Sequence, residues 1–385
     1  MITTYKQTAS EAYVLDISPI LDMIRKKDMT LISMIGMGKP AIQKKITWLV
    51  DEMMPESIVT TNDAAGALVT GESEITISAA QEAYVRVGTI IKDKANGSGS
   101  EIYMITAINT GTHTLTVTTW PAGAVAGIDH LAAATYRIIS RPILEGASPT
   151  SEDEQVRATV SNYVQLFERG IEISDEAKNI QMRGVSSEEA KAIEKKTWLV
   201  KRELAYSILY GKAHEASAVT DYGTFGGILE FLDSADGLRH DAGGDELTWK
   251  MVNDRVQAIY DTGADTKGLK FITSTDQARI VNTWGADRIQ ITQSEKTIGR
   301  VITAIRVDTG DVIPVVVEGE LDSEYSMLLD PKEVDLRPLK NEAWSLYTWP
   351  RTKYAQQTAL KGAYSMEIRN KDKGHALIKN LKAYS

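Results

Sequence analysis

Ser186-Ser-Glu-Glu-Ala-Lys-Ala-Ile-Glu-Lys-Lys-Thr-Trp-Leu-Val-Lys-Arg-Glu-Leu-Ala-Tyr-Ser-Ile-Leu-Tyr-Gly211 is the strongest helical signal in this chain of 385 residues. Ser186 and Glu189 have the spacing of a capping box, in which two side chains satisfy backbone N–H groups that the first turn leaves open. Gly211 stands where a C-terminal cap belongs. Between them Ile193, Thr197, Val200, Leu204 and Ile208 follow steps of three and four residues, so they share one face. The opposite stripe carries Glu194, Lys195, Lys201, Arg202 and Glu203. At 1.5 Å per residue such a helix is about 35 Å long. It reads as a structural spine.

Toward the C-terminus, element types alternate. Trp249–Asp261 reads as a helix ending at Gly263, Lys270–Thr273 as a strand and Asp276–Trp284 as a second helix. Val301–Val307 and Val312–Val317 face each other across Asp308-Thr-Gly-Asp311, a hairpin signal. Ser326–Leu329 and Val334–Leu336 add strands, and the strand-like tail from Trp344 onward has Ala355–Ile368 as its longest run.

Toward the N-terminus, Ala158–Ile173 is extended chain behind the acidic turn Glu152-Asp-Glu154. Val85–Ile91, Glu101–Ile108, Thr114–Thr119 and Thr135–Ile139 are short β-branched runs separated by Asn96-Gly-Ser-Gly-Ser100, Asn109-Thr-Gly111 and Pro121-Ala-Gly123. They predict an inserted β subdomain over 83–143. Residues 55–82, rich in Ala, Thr, Ser, Gly and Glu, predict a long exposed excursion. Ile46–Val50 reads as a strand, and Tyr13–Pro19 as an extended arm running into a short helix at Ile20–Ile24.

The 43 Lys and Arg against 52 Asp and Glu give a net charge of −9, which argues against a chain whose main task is gripping nucleic acid. With no cysteine, disulfides, thiol catalysis, Fe–S clusters and thiolate zinc sites are excluded. The first residues lack the charged and apolar regions of a secretory signal, and no apolar run approaches the roughly 20 residues of a membrane span. A soluble, cytoplasmic product is expected.

The search for chemistry ends without catalytic, cofactor-binding or metal-binding residues. His214-Glu215 lacks the second histidine of a zincin helix, since position 218 is Ala. His113, His130, His214, His240 and His375 show no ligand spacing and are each expected to be exposed loop residues. Gly36-Met-Gly38-Lys39 lacks the spacing of a phosphate loop and reads as a joint between arm and strand; Gly97-Ser-Gly-Ser100 reads as a hairpin loop. Asp241, Asp245 and Glu246 lie in a Gly-rich loop without calcium-loop spacing. Asn96-Gly-Ser98 matches a glycosylation acceptor that matters only in a secreted chain. The long exposed segments point instead to a protein that works by contact.

The order of segments resembles the HK97-fold major capsid proteins of tailed bacteriophages, most closely the SU10-type major head protein family. Leu15-Asp-Ile-Ser-Pro-Ile20 through Leu31-Ile-Ser-Met-Ile-Gly36 resembles the family's entry segment, followed by a tryptophan-containing strand at Thr47-Trp-Leu49. Asn162-Tyr-Val-Gln-Leu-Phe-Glu-Arg-Gly-Ile-Glu-Ile-Ser174 resembles its Asn-Tyr-x-Gln-x-Phe strand, and Lys201–Gly211 the end of its spine helix. Phe225-Gly-Gly-Ile-Leu229 and Ile259-Tyr-Asp-Thr-Gly263 resemble the entry to the next domain. Leu328-Leu-Asp330, Leu336-Arg-Pro338, Glu367-Ile-Arg-Asn370 and Gly374-His-Ala-Leu-Ile-Lys379 resemble the closing strands. Trp349-Pro-Arg-Thr352 departs from the pattern, where a more glycine-rich turn is usual.

The resemblance implies an α+β, HK97-like capsid fold. It assigns residues 1–35 to an N-terminal arm, 36–82 and 144–175 to an extended E-loop, and 83–143 to the inserted β subdomain. Residues 176–221 and 341–385 become the P-domain with its spine helix, and 222–340 the A-domain. It implies a major capsid protein, not an enzyme, that assembles into hexamers and pentamers of an icosahedral shell around double-stranded DNA, without sequence-specific binding and without a membrane. Portal, scaffolding and decoration proteins are the implied partners. The virion capsid is the implied location, with assembly in the host cytoplasm. Net negative charge is expected to limit adhesion of DNA to the wall, and Gly170, Gly184 and the 222–227 segment are candidate hinges. The alternatives are an encapsulin-like compartment shell, a glycan- or receptor-binding protein built round 83–143, and a hydrolase, for which the sequence offers no nucleophile–base pair.

Overall fold

In a computed structural model of the chain, the spine is helix α3 (Glu188–Tyr210). The structure describes residues 29–50, 56–61, 73–94, 102–121, 135–143, 145–146, 157–176, 188–218, 220–234, 237–284, 289–292, 301–351 and 353–384. The capping Ser186, His130, Asn96, Gly184 and most of the expected arm lie outside them. Val200, Leu204 and Ile208 are buried as the periodicity requires, and Ala205 and Leu209 widen the buried stripe. Ile193 and Thr197 are only half-buried, so the helix is seated by its C-terminal half.

Gly211 does not act as the expected left-handed cap. Its φ is not positive; a Cβ there would overlap the carbonyl oxygens of Ser207 and Phe225. Gly227 faces it, donating its N–H to the Gly211 carbonyl at 2.8 Å, and a Cβ on Gly227 would come within 2.7 Å of the Gly211 nitrogen. The two glycines let the end of α3 touch the segment that starts helix α4 (Ile228–Asp233). Within the 222–227 segment, Gly226 and Gly227 are therefore points of close packing.

The chain divides into two compact units, Met1–Trp48 with Val160–Ser385, and Leu49–Thr159. In the first, β1 (Gly36–Met37), β17 (Val334–Pro338), β19 (Ala355–Ile368) and β10 (Gln165–Ser174) lie side by side in that order, with β18 (Ser345–Thr348) also paired to β19. Strands β10 and β19 run antiparallel over ten residue pairs, from Gln165 opposite Tyr364 to Ser174 opposite Ala355. On β10, Phe167, Ile171 and Ile173 are buried while Leu166, Glu168 and Glu172 are exposed, the period-two signature of a sheet covered on one face. Helix α3 covers that face, through an Arg169–Glu203 ion pair and a hydrogen bond from Gln165 to the Ser207 hydroxyl at 3.3 Å.

A second sheet of the same unit has seven strands in the order β11 (Arg239–Asp241), β20 (Ala376–Lys379), β16 (Ser326–Leu329), β12 (Lys270–Thr273), β15 (Val312–Val317), β14 (Val301–Arg306) and β13 (Ile289–Thr292). Helix α5 (Trp249–Asp261) starts at Thr248, whose hydroxyl accepts from the Met251 N–H, and stops before Gly263 at φ +83°. Its Val252, Val256 and Ile259 join Phe271, Ile305, Ile313, Leu328 and Ile378 in one core. Helix α6 (Thr275–Val281) starts from Ser274 and ends three residues short of the expected Trp284.

Two strands cross the expected boundary at residue 340. Val334–Pro338 pairs with β19 in the first sheet, and Ala376–Lys379 inserts between β11 and β16 in the second. The reason is burial on both faces: Ala376, Leu377 and Ile378 are each about 1% exposed, which only a central strand of a covered sheet allows.

The chain leaves the first unit through β2 (Lys45–Val50) and returns through β9 (Ala158–Tyr163), which pair with each other. The second unit holds β3 (Ser57–Val59), β4 (Ser73–Thr76), helix α2 (Ala79–Glu82), β5 (Ile90–Asp93), β6 (Ile102–Asn109), β7 (Thr114–Thr119) and β8 (Thr135–Ser140). The sheet runs β3-β8-β5-β6-β7-β4, and a bridge between Thr60 and Ile77 joins its two edges into a small barrel. This enlarges the expected 83–143 subdomain. Ile58, Ile75 and Ile77, from the stretch expected to be an exposed excursion, are at most 2% exposed and pack with Ile91, Ile105 and Leu115. Ile58 and Ile75 face inward from two short strands and Ile77 follows at the closing bridge; the many small residues around them masked the signal.

Asn162 is the buried polar node of the first unit. Its Nδ2 donates to the carbonyls of Met366 (2.7 Å) and Gly226 (3.1 Å), and its Oδ1 accepts from the Gly226 N–H (2.8 Å). Replacing Asn162 with Ala leaves several backbone groups buried without partners, at about 1–3 kcal/mol each. We expect Asn162→Ala to lower the stability of this unit by roughly 3 kcal/mol in denaturant titration while the barrel's own unfolding midpoint stays put.

Candidate assembly surfaces

On the side of the β10–β19 ladder opposite α3, side chains of β10 and β18 are exposed, while Ala359 and Ala363 of β19 on that side are buried. Leu166 is 72% exposed, and all four residues of β18 are exposed. Register places Leu166, Glu168 and Glu172 of β10, Lys361 and Gln357 of β19, and Tyr347 of β18 on this one side. The Lys361 ammonium lies 5.1 Å from both the Tyr347 and Trp349 rings, close enough for cation–π attraction. At the tip of the β18–β19 hairpin Tyr354 is 93% exposed. Among the described residues β18 pairs with β19 alone, so its outer edge keeps unpaired backbone donors and acceptors. An exposed edge beside exposed aromatic side chains is a template for contact with another chain.

Charge pairs hold this hairpin in place. Lys353 contacts Glu172 at 2.6 Å and Gln357 donates to the same carboxylate at 3.1 Å; these bonds hold the Glu172 carboxyl below its ordinary range, the lysine contributing most. Arg351 pairs with Asp175 at 3.3 Å. On the other side of the sheet, a cavity of about 510 Å³ is lined by Met29, Ile32, Met37, Trp198, Leu204 and Trp344 among others.

The barrel unit offers a different surface. Residues 49–159 hold 14 Asp and Glu against 6 Lys and Arg, a net −8 of the chain's −9. The other unit is nearly neutral.

Several of the residues weighed for catalysis or metal binding have structural roles, while His130 and Gly97–Ser100 lie outside the described residues. The Gly36 and Gly38 positions face Asp335 and Arg337 so closely that a Cβ would fall within 2.8–3.0 Å of their side chains, which accounts for the glycines where β1 meets β17. Asp241 accepts from the Gly243 N–H at 2.9 Å and from Asn380 at 2.8 Å, bonds that lower its pKa, the Gly243 N–H contributing most. No three potential metal ligands converge among the described residues. His214 meets Asp221 at 3.2 Å and His113 meets Glu82 at 2.9 Å, both partly open to solvent.

His375 corrects the expectation of exposed histidines. It is fully buried, with its Nδ1 accepting from the Asp330 N–H at 3.3 Å and its Nε2 3.1 Å from the Arg369 carbonyl, to which it donates. Burial pulls its pKa down to about 4, so the ring is neutral at pH 7. Sequence reasoning also missed Asn162 and Glu318 as buried polar nodes, because nothing local distinguishes them from surface residues.

The model of the SU10 major capsid protein family matches residues 1–382. The capsid asymmetric unit of cyanophage A-1(L) aligns with a TM-score of 0.54 and 11% identity, over 98% of this chain and 99% of that one. The capsid of a native GTA particle computed with C5 symmetry aligns at 0.53 and 12%, over the whole of both chains. A chain from Mycobacterium phage Bobi aligns at 0.50 and 9%, over 98% of each. No curated protein matches the chain. At these identities the neighbours carry the fold, which is the HK97-like capsid fold.

His375 supplies a pH test. Its folded pKa lies below the ordinary value of 6.5, so its contribution to stability is intact above pH 6.5 and is lost as pH falls toward about 4. A chain with His375→Gln keeps a neutral donor and loses this titration. Between pH 7 and pH 4.5 the natural chain should lose roughly 2–3 kcal/mol more than the variant in denaturant titration.

Proposed function

Because the chain belongs to the SU10 major capsid protein family, it is a head-shell subunit and not an enzyme, and we propose that its copies join into hexamers and pentamers of an icosahedral shell around double-stranded DNA. The partly exposed sheet face on β10, β18 and β19 carries this reading. A fold that covers one face of its main sheet, exposes Leu166 and Tyr347 on the other and exposes Tyr354 at the hairpin tip has unused apolar surface. Identical subunits bury such surface against one another through head-to-tail contacts, which close into rings when the rotation allows. Each large apolar side chain so buried contributes about 1.5–3 kcal/mol, multiplied over every contact of the shell.

We assign residues 1–35 to the arm and 49–159 to the extended loop with its barrel. The five-stranded sheet with α3 is the P-domain, and the seven-stranded sheet is the A-domain. Portal and scaffolding proteins are the proposed partners, with decoration proteins as a further class, and assembly takes place in the host cytoplasm. The charge partition revises one expectation. Repulsion of DNA cannot be a property of the whole wall when nearly all the net charge belongs to residues 49–159. An acidic unit presented on the outer side of the shell meets the same need, since like charge is costly beside packaged phosphate.

Two measurements test this. Leu166→Asp with Tyr354→Asp should leave the thermal unfolding of the single chain unchanged and raise the concentration needed for shell formation at least tenfold, read by sedimentation and electron microscopy. Shells at the original concentration would refute the sheet face as a contact. An amine-reactive label applied to intact particles should modify the exposed Lys94 of the barrel unit as fast as in dissociated subunits; strong protection there would contradict the outward placement.

A further inference from the structure

Residues 29–41 cross both sheets of the larger unit, and one buried carboxylate holds their start. Glu318 follows β15 and is 1% exposed. Its carboxylate accepts from the Leu31 N–H at 2.6 Å and the Thr30 hydroxyl at 2.7 Å; the Thr30 hydroxyl also lies 3.1 Å from the Val317 carbonyl. Among the described residues, no lysine, arginine or histidine pairs with Glu318. Thr30 and Leu31 open the short helix α1 (Thr30–Met34). Beyond it the chain is stitched to the other sheet: the Gly38 N–H donates to the Leu336 carbonyl at 3.0 Å, the Ala41 N–H to the Pro338 carbonyl at 2.7 Å, and Arg337 to the Lys39 carbonyl at 2.9 Å.

The turn that carries Glu318 is held from a third side by the spine. The Asp322 N–H donates to the Tyr210 hydroxyl at 2.7 Å, and that hydroxyl donates to the Glu320 carbonyl at 3.3 Å. Tyr206, one turn earlier on α3, is held above its ordinary pKa chiefly by the neighbouring Glu320 side chain. The strap, the seven-stranded sheet and the end of α3 therefore meet within five residues, 318–322.

We propose that Glu318 is the clasp of a strap that couples residues 29–34 to the C-terminal end of α3 and so locks the two sheets of this unit together. The Glu320 N–H lies 3.5 Å from the same carboxylate, so its two short bonds both come from one segment, and a buried carboxylate held in that way is stable only while that segment is docked. Lifting the strap strands the carboxylate, water must enter to solvate it, and the 318–322 turn loses the packing that positions it against Tyr206 and Tyr210. In a shell, tension on the chain ahead of Met29 would reach the spine by this route. That last consequence rests on the capsid reading; the clasp itself is a property of the single chain.

Amide exchange of the full-length soluble chain, read at single residues by fragmentation mass spectrometry, tests it with Glu318→Ala and Thr30→Val. The expected result is exchange at Leu31 and Asp322 that rises together, at least tenfold for Glu318→Ala and about threefold for Thr30→Val, while amides of β10 and β19 do not change. Faster exchange at Leu31 with Asp322 unchanged would overturn the coupling, and no change at either residue would overturn the clasp. Should Glu318→Ala fail to fold, Thr30→Val decides alone. Electron microscopy of the natural chain reads the capsid proposal separately: absence of shells alongside coupled exchange would count against that reading and leave the clasp standing.

Discussion

Helix α3 covers one face of the β10–β19 ladder and leaves exposed side chains of β10 and β18 on the other, and the organisation of the subunit follows from that imbalance. A ladder of ten residue pairs is a large, stiff platform. Its covered side is anchored by Phe167, Ile171 and the Arg169–Glu203 pair, which set the register so that Leu166 and Tyr347 must point outward. A one-residue slip would bury Glu168 and Glu172 and expose Phe167, so the register is strongly specified. The exposed apolar residues on that face are therefore held in fixed positions by the core beneath them. For a shell subunit this matters more than the amount of exposed apolar surface, because equivalent contacts must form with the same geometry.

The two units divide the physical requirements of such a subunit. The larger unit supplies rigidity through two sheets and a 23-residue helix, and carries almost no net charge. The barrel closes its own sheet edges through the Thr60–Ile77 bridge and has its own core, so its strands offer little invitation to pair with other chains. It also carries nearly all the acidic excess. Charge concentrated on the self-contained unit adds to solubility without placing repulsion on the larger one.

Sequence reasoning was most accurate where a segment contains its own stop signals. The helix over Trp249–Asp261, the strands over Lys270–Thr273, Thr114–Thr119 and Ala355–Ile368, and the hairpin round Gly310 all appear where caps, turns and periodicity put them. It failed where a distant partner decides. Val334–Pro338 and Ala376–Lys379 exchange sheets because of what lies beside them, and no property of either segment names its neighbour. The barrel strands at Ser57–Val59 and Ser73–Thr76 contribute Ile58 and Ile75, with Ile77 just beyond, three buried isoleucines diluted among small polar residues and below what composition can resolve. Gly211 carried a true signal with the wrong cause: a glycine was required, for close backbone approach and not for a left-handed turn. The exposed sheet face was legible as alternation along β10, but which side α3 would take was not.

The residues hardest to read are also those that make the fold unique. Apolar cores accept many arrangements of similar volume, whereas a buried polar group accepts only the one that satisfies it. Asn162 bonds backbone at Gly226 and Met366, segments 64 and 204 residues away. Glu318 bonds a segment 287 residues away, and His375 fits between the Asp330 and Arg369 backbones. Each node ties together pieces that no local rule brings near each other, and each costs free energy if the pieces part. Long-range satisfaction of this kind penalises alternative pairings of the same strands, so the platform reaches the surface in one form. A shell of identical copies requires that form to be the same in every subunit, and these few buried polar side chains supply the constraint that hydrophobic packing alone would leave loose.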